Sequence, residues 1–144
     1  LPEFRAARFA YNEGLSQSGW AAPQNHAATM GFHFAPSLES GGHRLSALAV
    51  AEGRADIAAV DAMTWRLLQR YEGWTEGLRD VARTAPTPGL PYIAALGANA
   101  EATFAALVEA AAGLSPDDRE VLSLRGIVRI AGERYLAVPI PPAP

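Results

Sequence analysis

Short apolar segments alternate with longer amphipathic segments over residues 8–96, and this alternation limits the fold more than any other feature of the sequence. The short segments are rich in aromatic and β-branched residues, and they are predicted to be strands at 8–11, 32–38, 57–60, 78–83 and 92–96. The segments between the first four have helical spacing and are predicted to be helices at 16–30, 43–52 and 63–71. This order predicts an α/β fold in which a doubly wound, mostly parallel sheet is flanked by helices.

The character of the sequence changes after Gly97. Helices are predicted at 100–112 and 119–124, and the proline-rich tail at 139–144 is predicted to be extended. We therefore expect a boundary within 85–97, between an α/β lobe and a C-terminal helical segment whose apolar faces need a partner.

Composition and charge exclude several functional classes. A net charge of -3 provides no basic surface for nucleic acid. The absence of cysteine excludes disulfides, thiolate catalysis and cysteine metal sites. All 12 basic residues are arginine, which excludes lysine Schiff bases and a lysine-dependent phosphate loop. No apolar stretch approaches the ~18 residues that would predict a membrane span.

Polar clusters follow the first three predicted strands, at the point where each strand ends. They comprise residues 12–19, residues 40–43 and Asp61. Ligands of open α/β sheets bind beyond the carboxyl ends of the strands, so these clusters are the candidate site.

The first cluster has the chemistry of an anion site. A helix that begins near Ser16 directs unpaired N–H groups and a partial positive charge toward its N-terminus, and Ser18 adds a hydroxyl donor. Gly19 allows a ligand to approach the backbone closely. The alternative is that Ser16 is an ordinary helix cap.

The other two clusters have the same ambiguity. His43 follows two glycines and could bind a ligand, or it could be a surface histidine after a tight turn. Asp61 could accept a hydrogen bond from a protonated phosphoryl oxygen or an ammonium group, or it could cap the following helix. Trp20 follows the first cluster and is the natural fluorescent reporter, whereas the helical spacing of Trp65 favours a place in the core.

The order of these motifs resembles the phosphate/phosphonate type of periplasmic substrate-binding proteins of ABC transporters. The resemblance covers about residues 5–140, and the motifs that carry it are Tyr11-Asn12-Glu13, Ser16-Gln17-Ser18-Gly19, Ser40-Gly41-Gly42-His43, the run from Ala51 to Asp61, and Pro88-Gly89-Leu90-Pro91-Tyr92. It implies one lobe of a two-lobed, hinge-closing α/β clamp that has no catalytic residues and needs no cofactor or metal. It also implies a periplasmic location, a small anionic ligand and a permease partner.

The resemblance further implies which residues hold the ligand. They are Asn12, Ser16, Gln17, Ser18, Gly19, His43 and Asp61. Typical phosphonate binders have Ser-Thr-Ser where this chain has Ser16-Gln17-Ser18, so the sequence leaves the choice among phosphate, phosphite and phosphonate open.

Family members carry a half-lobe of roughly one hundred residues before this region. The resemblance therefore implies truncation at the N-terminus. Residues 1–87 would form the second α/β lobe, and 88–144 a crossover strand and C-terminal helices that return to a first lobe. Those helices are expected to pack on their own lobe or on another copy of the chain.

Two rival functions share parts of this pattern. An effector-binding domain of a transcriptional regulator has the same fold. A hydrolase could use Ser18, His43 and Asp61 as a triad, but neither serine lies in a G-x-S-x-G elbow. His26 and His33 are not expected to form a metal pair, because Gly31 separates them from a shared helix face.

Overall fold

All 144 residues are described by the computed structural model, in which the chain divides into two units. The first unit contains Leu1–Pro86 together with Val138–Pro144, and the second contains Thr87–Ala137. None of the helices combines the length and the hydropathy of a membrane span.

A three-stranded parallel sheet forms the centre of the first unit. Its strands are β1 (Phe9–Tyr11), β2 (Pro36–Glu39) and β3 (Ile57–Ala58), arranged in the order β2-β1-β3. Phe9 lies opposite Pro36 on one side and opposite Ile57 on the other. The predicted α/β class with parallel strands is confirmed, although the sheet is small.

Three α-helices of the first unit follow the strands. They are α1 (Ala22–Ala28), α2 (His43–Ala51) and α3 (Ala62–Tyr71). The predicted helix at 16–30 begins instead with a π-helical turn, Gln17–Ala21, and only then becomes α1. Pro23 lies in the first turn of α1, as expected, directly after the π-helical turn.

The alternation of side chains along β1 creates a separate core on each face of the sheet. Phe9 and Tyr11 point to one face, and Ala10 points to the other. The first face holds an aromatic cluster that consists of Phe9, Tyr11, Trp20, Ala27, Phe32, Phe34 and Ile57. On the second face, Ala10 packs with Ala49 of α2 and with Ala55. Helices therefore cover both faces of the sheet.

The strand predicted at 32–38 is displaced toward its end. Phe32 and Phe34 are buried, but β2 starts only at Pro36. The Gln24 side chain explains the difference: its amide nitrogen donates to the Phe34 carbonyl at 2.8 Å, and its amide oxygen accepts from the Phe34 N–H at 2.9 Å. A side chain thus satisfies the hydrogen bonds that a neighbouring strand would otherwise take.

Three other strand predictions need correction. The strand predicted at 57–60 is shorter, and those predicted at 78–83 and 92–96 are wrong. Both of the latter segments are irregular and largely exposed. Val81, Tyr92 and Ile93 suit a strand, but neither segment pairs with another strand, and an unpaired strand is not stable.

The second unit is helical. It contains α4 (Ala100–Ala112), α5 (Pro116–Leu122) and α6 (Gly132–Leu136), of which the first two were predicted and α6 was not. The Arg129 guanidinium donates to both Glu101 carboxylate oxygens, at 2.6 and 2.7 Å. Ala111 is the one buried side chain of Thr87–Ala137.

Candidate functional site

The loops that follow the three strands start side by side. The Ser40 N–H donates to the Tyr11 carbonyl and the Gly41 N–H to the Asn12 carbonyl, both at 2.9 Å, which extends the pairing of β1 and β2 beyond β2. On the other side, the Ala59 N–H reaches the Ala10 carbonyl at 3.4 Å. Because the strand order reverses at β1, this edge is a topological switch point, where α/β sheets bind ligands.

Three predicted site residues from these three loops are in contact. Ser18 Oγ lies 3.0 Å from His43 Nε2, and His43 Nε2 lies 3.6 Å from Asp61 Oδ2. The His43 side chain is 17% exposed and the Asp61 side chain 31%, so the cluster is shielded yet open to solvent. Residues separated by 25 and 18 positions in the sequence are thus brought to one place.

Asp61 has a structural role as well. Its Oδ1 atom accepts from the N–H groups of Met63 and Thr64, at 3.0 and 2.9 Å, and so caps α3. Partial burial of the carboxyl raises its pKa, but the hydrogen bonds from Thr64 and Met63 and the neighbouring His43 outweigh burial and hold the pKa below its ordinary value. Asp61 is therefore a carboxylate at neutral pH, with Oδ2 available on the side of His43.

The arrangement differs from a hydrolytic triad. In a triad the serine and the carboxylate contact opposite nitrogens of the imidazole. Here both Ser18 and Asp61 approach Nε2, and Nδ1 is buried without a partner. Ser18 Oγ and His43 Nε2 therefore share one hydrogen bond, in which the donor depends on the imidazole tautomer.

The turn before α1 is shaped by its small residues. Ser16 Oγ accepts from the Gly19 N–H at 3.0 Å, so Ser16 caps the helix. The cap was the alternative to an anion-binding role for this serine. Asn12 Oδ1 occupies the space that a side chain at Gly19 would fill. Gly19 is therefore needed for close packing against Asn12.

Several polar groups at this edge have no hydrogen-bond partner. Four buried side-chain atoms have no partner, and three of them belong to predicted site residues: Asn12 Oδ1, Gln17 Nε2 and His43 Nδ1, the fourth being Trp65 Nε1. The backbone N–H groups of Gln17 and Ser18 also lack an acceptor within the chain. Buried polar groups are usually paired, so this concentration of unpaired atoms distinguishes the edge from the rest of the first unit.

Ser40 and Ser46 hold the His43 turn in place, and of these two residues only Ser40 was expected from its position in a polar cluster. Ser40 Oγ lies 2.7 Å from Ser46 Oγ and donates to the Gly42 carbonyl at 3.0 Å. Ser46 is completely buried. Its position three residues after His43, on the same side of α2, is the one signal that could have identified it.

A cavity of about 250 Å³ lies elsewhere in the first unit. It is lined by Trp20, Gln24, His33, Phe34, Pro36 and residues 141–144, and by none of the seven predicted site residues. No group of three or more His, Cys, Asp and Glu side chains is placed to hold a metal ion.

Comparison with known proteins provides one match. The family model described as an ABC transporter, phosphonate, periplasmic substrate-binding protein matches residues 1–132. A search of curated proteins finds no match to the chain.

Proposed function

The chain belongs to the family of periplasmic substrate-binding proteins of phosphonate ABC transporters, and from this premise we propose that it captures a small oxyanion at the strand edge described above. The family is one of binding proteins and not of enzymes. The family match does not support the alternative of a regulator's effector domain, which shares the fold. The residues proposed to contact the oxyanion are Asn12, Ser16, Gln17, Ser18, Gly19, His43 and Asp61.

One observation carries the proposal: Ser18, His43 and Asp61 meet at His43 Nε2 although they come from three different loops. A purely structural capping role would explain Asp61 and Ser16, but it would not require the Ser18 hydroxyl or the imidazole. The unpaired Gln17 amide and the free N–H groups of Gln17 and Ser18 supply further donors beside them. Together these groups can bind an anion without lysine.

The ionised Asp61 limits which anions fit. A carboxylate can only accept hydrogen bonds, so it repels a fully deprotonated guest and attracts one that keeps a proton on an oxygen. Hydrogenphosphate, the monoanion of phosphite and the monoanions of phosphonates each keep a proton on an oxygen and are present at neutral pH, whereas sulfate keeps none. We therefore propose a protonated oxyanion of phosphorus as the ligand class.

Transport would involve no chemical step. A hinge closure would enclose the anion between this edge and a second lobe, and the closed form would be presented to the permease in the periplasm. Each hydrogen bond to a charged group contributes about 1.5–3 kcal/mol.

Calorimetric titration tests the proposal. Phosphate, phosphite and methylphosphonate should bind more tightly than sulfate. Ser18→Ala should weaken their binding about tenfold to a hundredfold, because one charge-assisted hydrogen bond is lost. Ser37→Ala is the matched control, since Ser37 is exposed and bonds only the Ala35 carbonyl.

Asp61→Asn provides a second arm of the experiment, because it should remove the discrimination against sulfate. Equal affinity of wild type and Ser18→Ala for all three phosphorus oxyanions, or no binding of any of them, would refute the site.

A further inference from the structure

The proline-rich tail contacts the helix that carries the proposed anion-binding turn. Trp20 Nε1 donates to the Pro142 carbonyl at 2.9 Å, and Asn25 Nδ2 donates to the Pro139 carbonyl at 2.8 Å. Pro144 lies against Gly14, where an added Cβ would come within 2.8 Å of the proline ring. These three contacts join the last six residues to both ends of the turn.

The spacing of the two carbonyls has a physical explanation. Four of the six residues in Pro139–Pro144 are proline, whose fixed φ favours the polyproline II helix. That helix has three residues per turn, so the carbonyls of residues 139 and 142 face the same side, about 9 Å apart. The Trp20 indole N–H and the Asn25 side-chain amide lie on one helix and donate to these two carbonyls. The aromatic side chains beside them form the kind of groove that binds polyproline segments.

The groove is built from named parts of the first unit. Trp20, Phe34 and Pro36 form its wall and Pro141 inserts partly into it, whereas Pro142 and Pro144 remain exposed. Trp20 is itself packed on Tyr11, with ring centroids 4.9 Å apart, and on Phe9. Its backbone N–H donates to the Ser16 carbonyl at 3.1 Å. A tail that fixes Trp20 therefore also fixes the turn from Ser16 to Gly19.

We propose that Pro139–Pro144 is an intramolecular polyproline ligand of the first unit, and that its docking positions the turn that carries Ser16, Gln17 and Ser18. Trp20 and Asn25 are positioning residues that do not touch the anion. The link to anion binding depends on the function proposed above, whereas the docking of the tail does not.

The test uses the full chain and weakens the tail without touching the turn. Pro141→Gly combined with Pro142→Gly removes the preorganised φ angles and keeps both acceptor carbonyls. Pro86→Gly combined with Pro91→Gly is the matched control, because both of these prolines are exposed and do not line the groove.

Hydrogen exchange of the Trp20 and Ala21 amides is the first measurement, since both donate to the Ser16 carbonyl. We expect exchange on the order of tenfold faster in the tail variant, with Trp20 emission shifted to the red, and neither change in the control. A peptide with the sequence of residues 138–144, added at millimolar concentration to match the loss of the tether, should restore slow exchange.

Three results would overturn the proposal: unchanged exchange in the tail variant, equal acceleration in the control, or failure of the peptide to restore protection. Titration with inorganic phosphate separates this question from the proposed function. If wild type binds phosphate, the tail variant should bind it several-fold more weakly. If wild type does not bind phosphate, the oxyanion proposal fails and the exchange data alone decide the role of the tail.

Discussion

Gln24 is an example of a single side chain that replaces a strand. It is almost completely buried, and its two hydrogen bonds satisfy both backbone groups of Phe34. Phe34 in turn stacks on Phe9 with ring centroids 4.7 Å apart, so the amide of Gln24 fixes part of the aromatic core. The amide is therefore a structural group, although Gln24 also lines the cavity.

Gln24→Met should lower the free energy of unfolding by about 2–4 kcal/mol, because it keeps the side-chain volume but leaves a buried N–H and a buried carbonyl unpaired. Denaturant unfolding measures the change. Gln69→Met, on the exposed side of α3, is the control and should stay within about 0.5 kcal/mol of wild type. A small effect at Gln24 would mean that β2 can extend to take over the pairing.

Gly19 is required by Asn12 and not by its own backbone angles. A Cβ at this position would overlap Asn12 Oδ1 and crowd Ser16 Oγ at 3.2 Å. We expect Gly19→Ala to cost about 1–3 kcal/mol of stability and to abolish oxyanion binding, because the Asn12 amide must move into the turn. Gly73→Ala meets nothing within 4 Å and is the control. A stable Gly19→Ala protein with unchanged oxyanion affinity would exclude the turn from the site.

At the scale of elements, an ion pair fixes the starts of β1 and β3. The Arg8 guanidinium donates to both Asp56 carboxylate oxygens, at 3.1 and 2.6 Å, and the Arg8 N–H adds a third bond at 2.8 Å. The side-chain hydrogen bonds from Arg8, followed by its backbone N–H, lower the pKa of Asp56 from 3.8 to about 2. The carboxylate of this pair is thus stabilised in the folded protein.

The pH dependence of stability follows from that shift. Because the pKa is lower in the folded state, the pair stabilises the protein above about pH 4 and loses its effect as the pH falls toward about 2. The difference in unfolding midpoint between wild type and Asp56→Asn should therefore shrink over that range. In an Arg8→Met background the same difference should be smaller, because only the bond from the backbone N–H remains, and a double-mutant cycle measures the reduction. Parallel pH curves in both backgrounds would contradict the pairing.

Elements whose signals are local could be predicted from the sequence, and elements that depend on distant partners could not. Pro23 and Asp61 mark helix starts by the chemistry of single residues, and α1 and α3 begin there. The strands predicted at 78–83 and 92–96 have suitable side chains, but strand formation requires a neighbour whose identity lies outside the segment. Gln24 is the converse case, because no local pattern shows that a helix residue will pair the backbone ten positions later.

At the scale of the whole molecule, topology explains why the proposed site residues converge. Parallel strands in the order β2-β1-β3 place their following loops at one edge, so polar residues just after strands were expected to meet. The sharing of His43 Nε2 by Ser18 and Asp61, and the location of the cavity beside the tail, depend on packing angles that no sequence spacing encodes.

The irregular segment Leu90–Leu96 in the second unit is the strongest candidate for a contact with another surface. Leu90, Ile93 and Leu96 are almost fully exposed and Tyr92 is largely so. Leu90, Ile93 and Leu96 are spaced three positions apart, and Tyr92 adjoins Ile93. Four apolar side chains therefore lie on one short stretch. Contiguous exposed apolar surface of this kind marks interaction sites. Since Thr87–Ala137 buries one alanine side chain, it has little core of its own to absorb them.

We expect copies of the chain to associate through this segment. Sedimentation equilibrium should show an average mass that rises with protein concentration, because association removes apolar surface from water. Hydrogen exchange in α4 should become slower over the same range of concentration. Ile93→Glu combined with Leu96→Glu should abolish both effects. Val81→Glu with Ala82→Glu adds the same charge outside the segment and should leave association intact. A wild-type chain that stays monomeric, with α4 unprotected at every concentration, would show that these side chains tolerate exposure and that the segment serves no contact between copies.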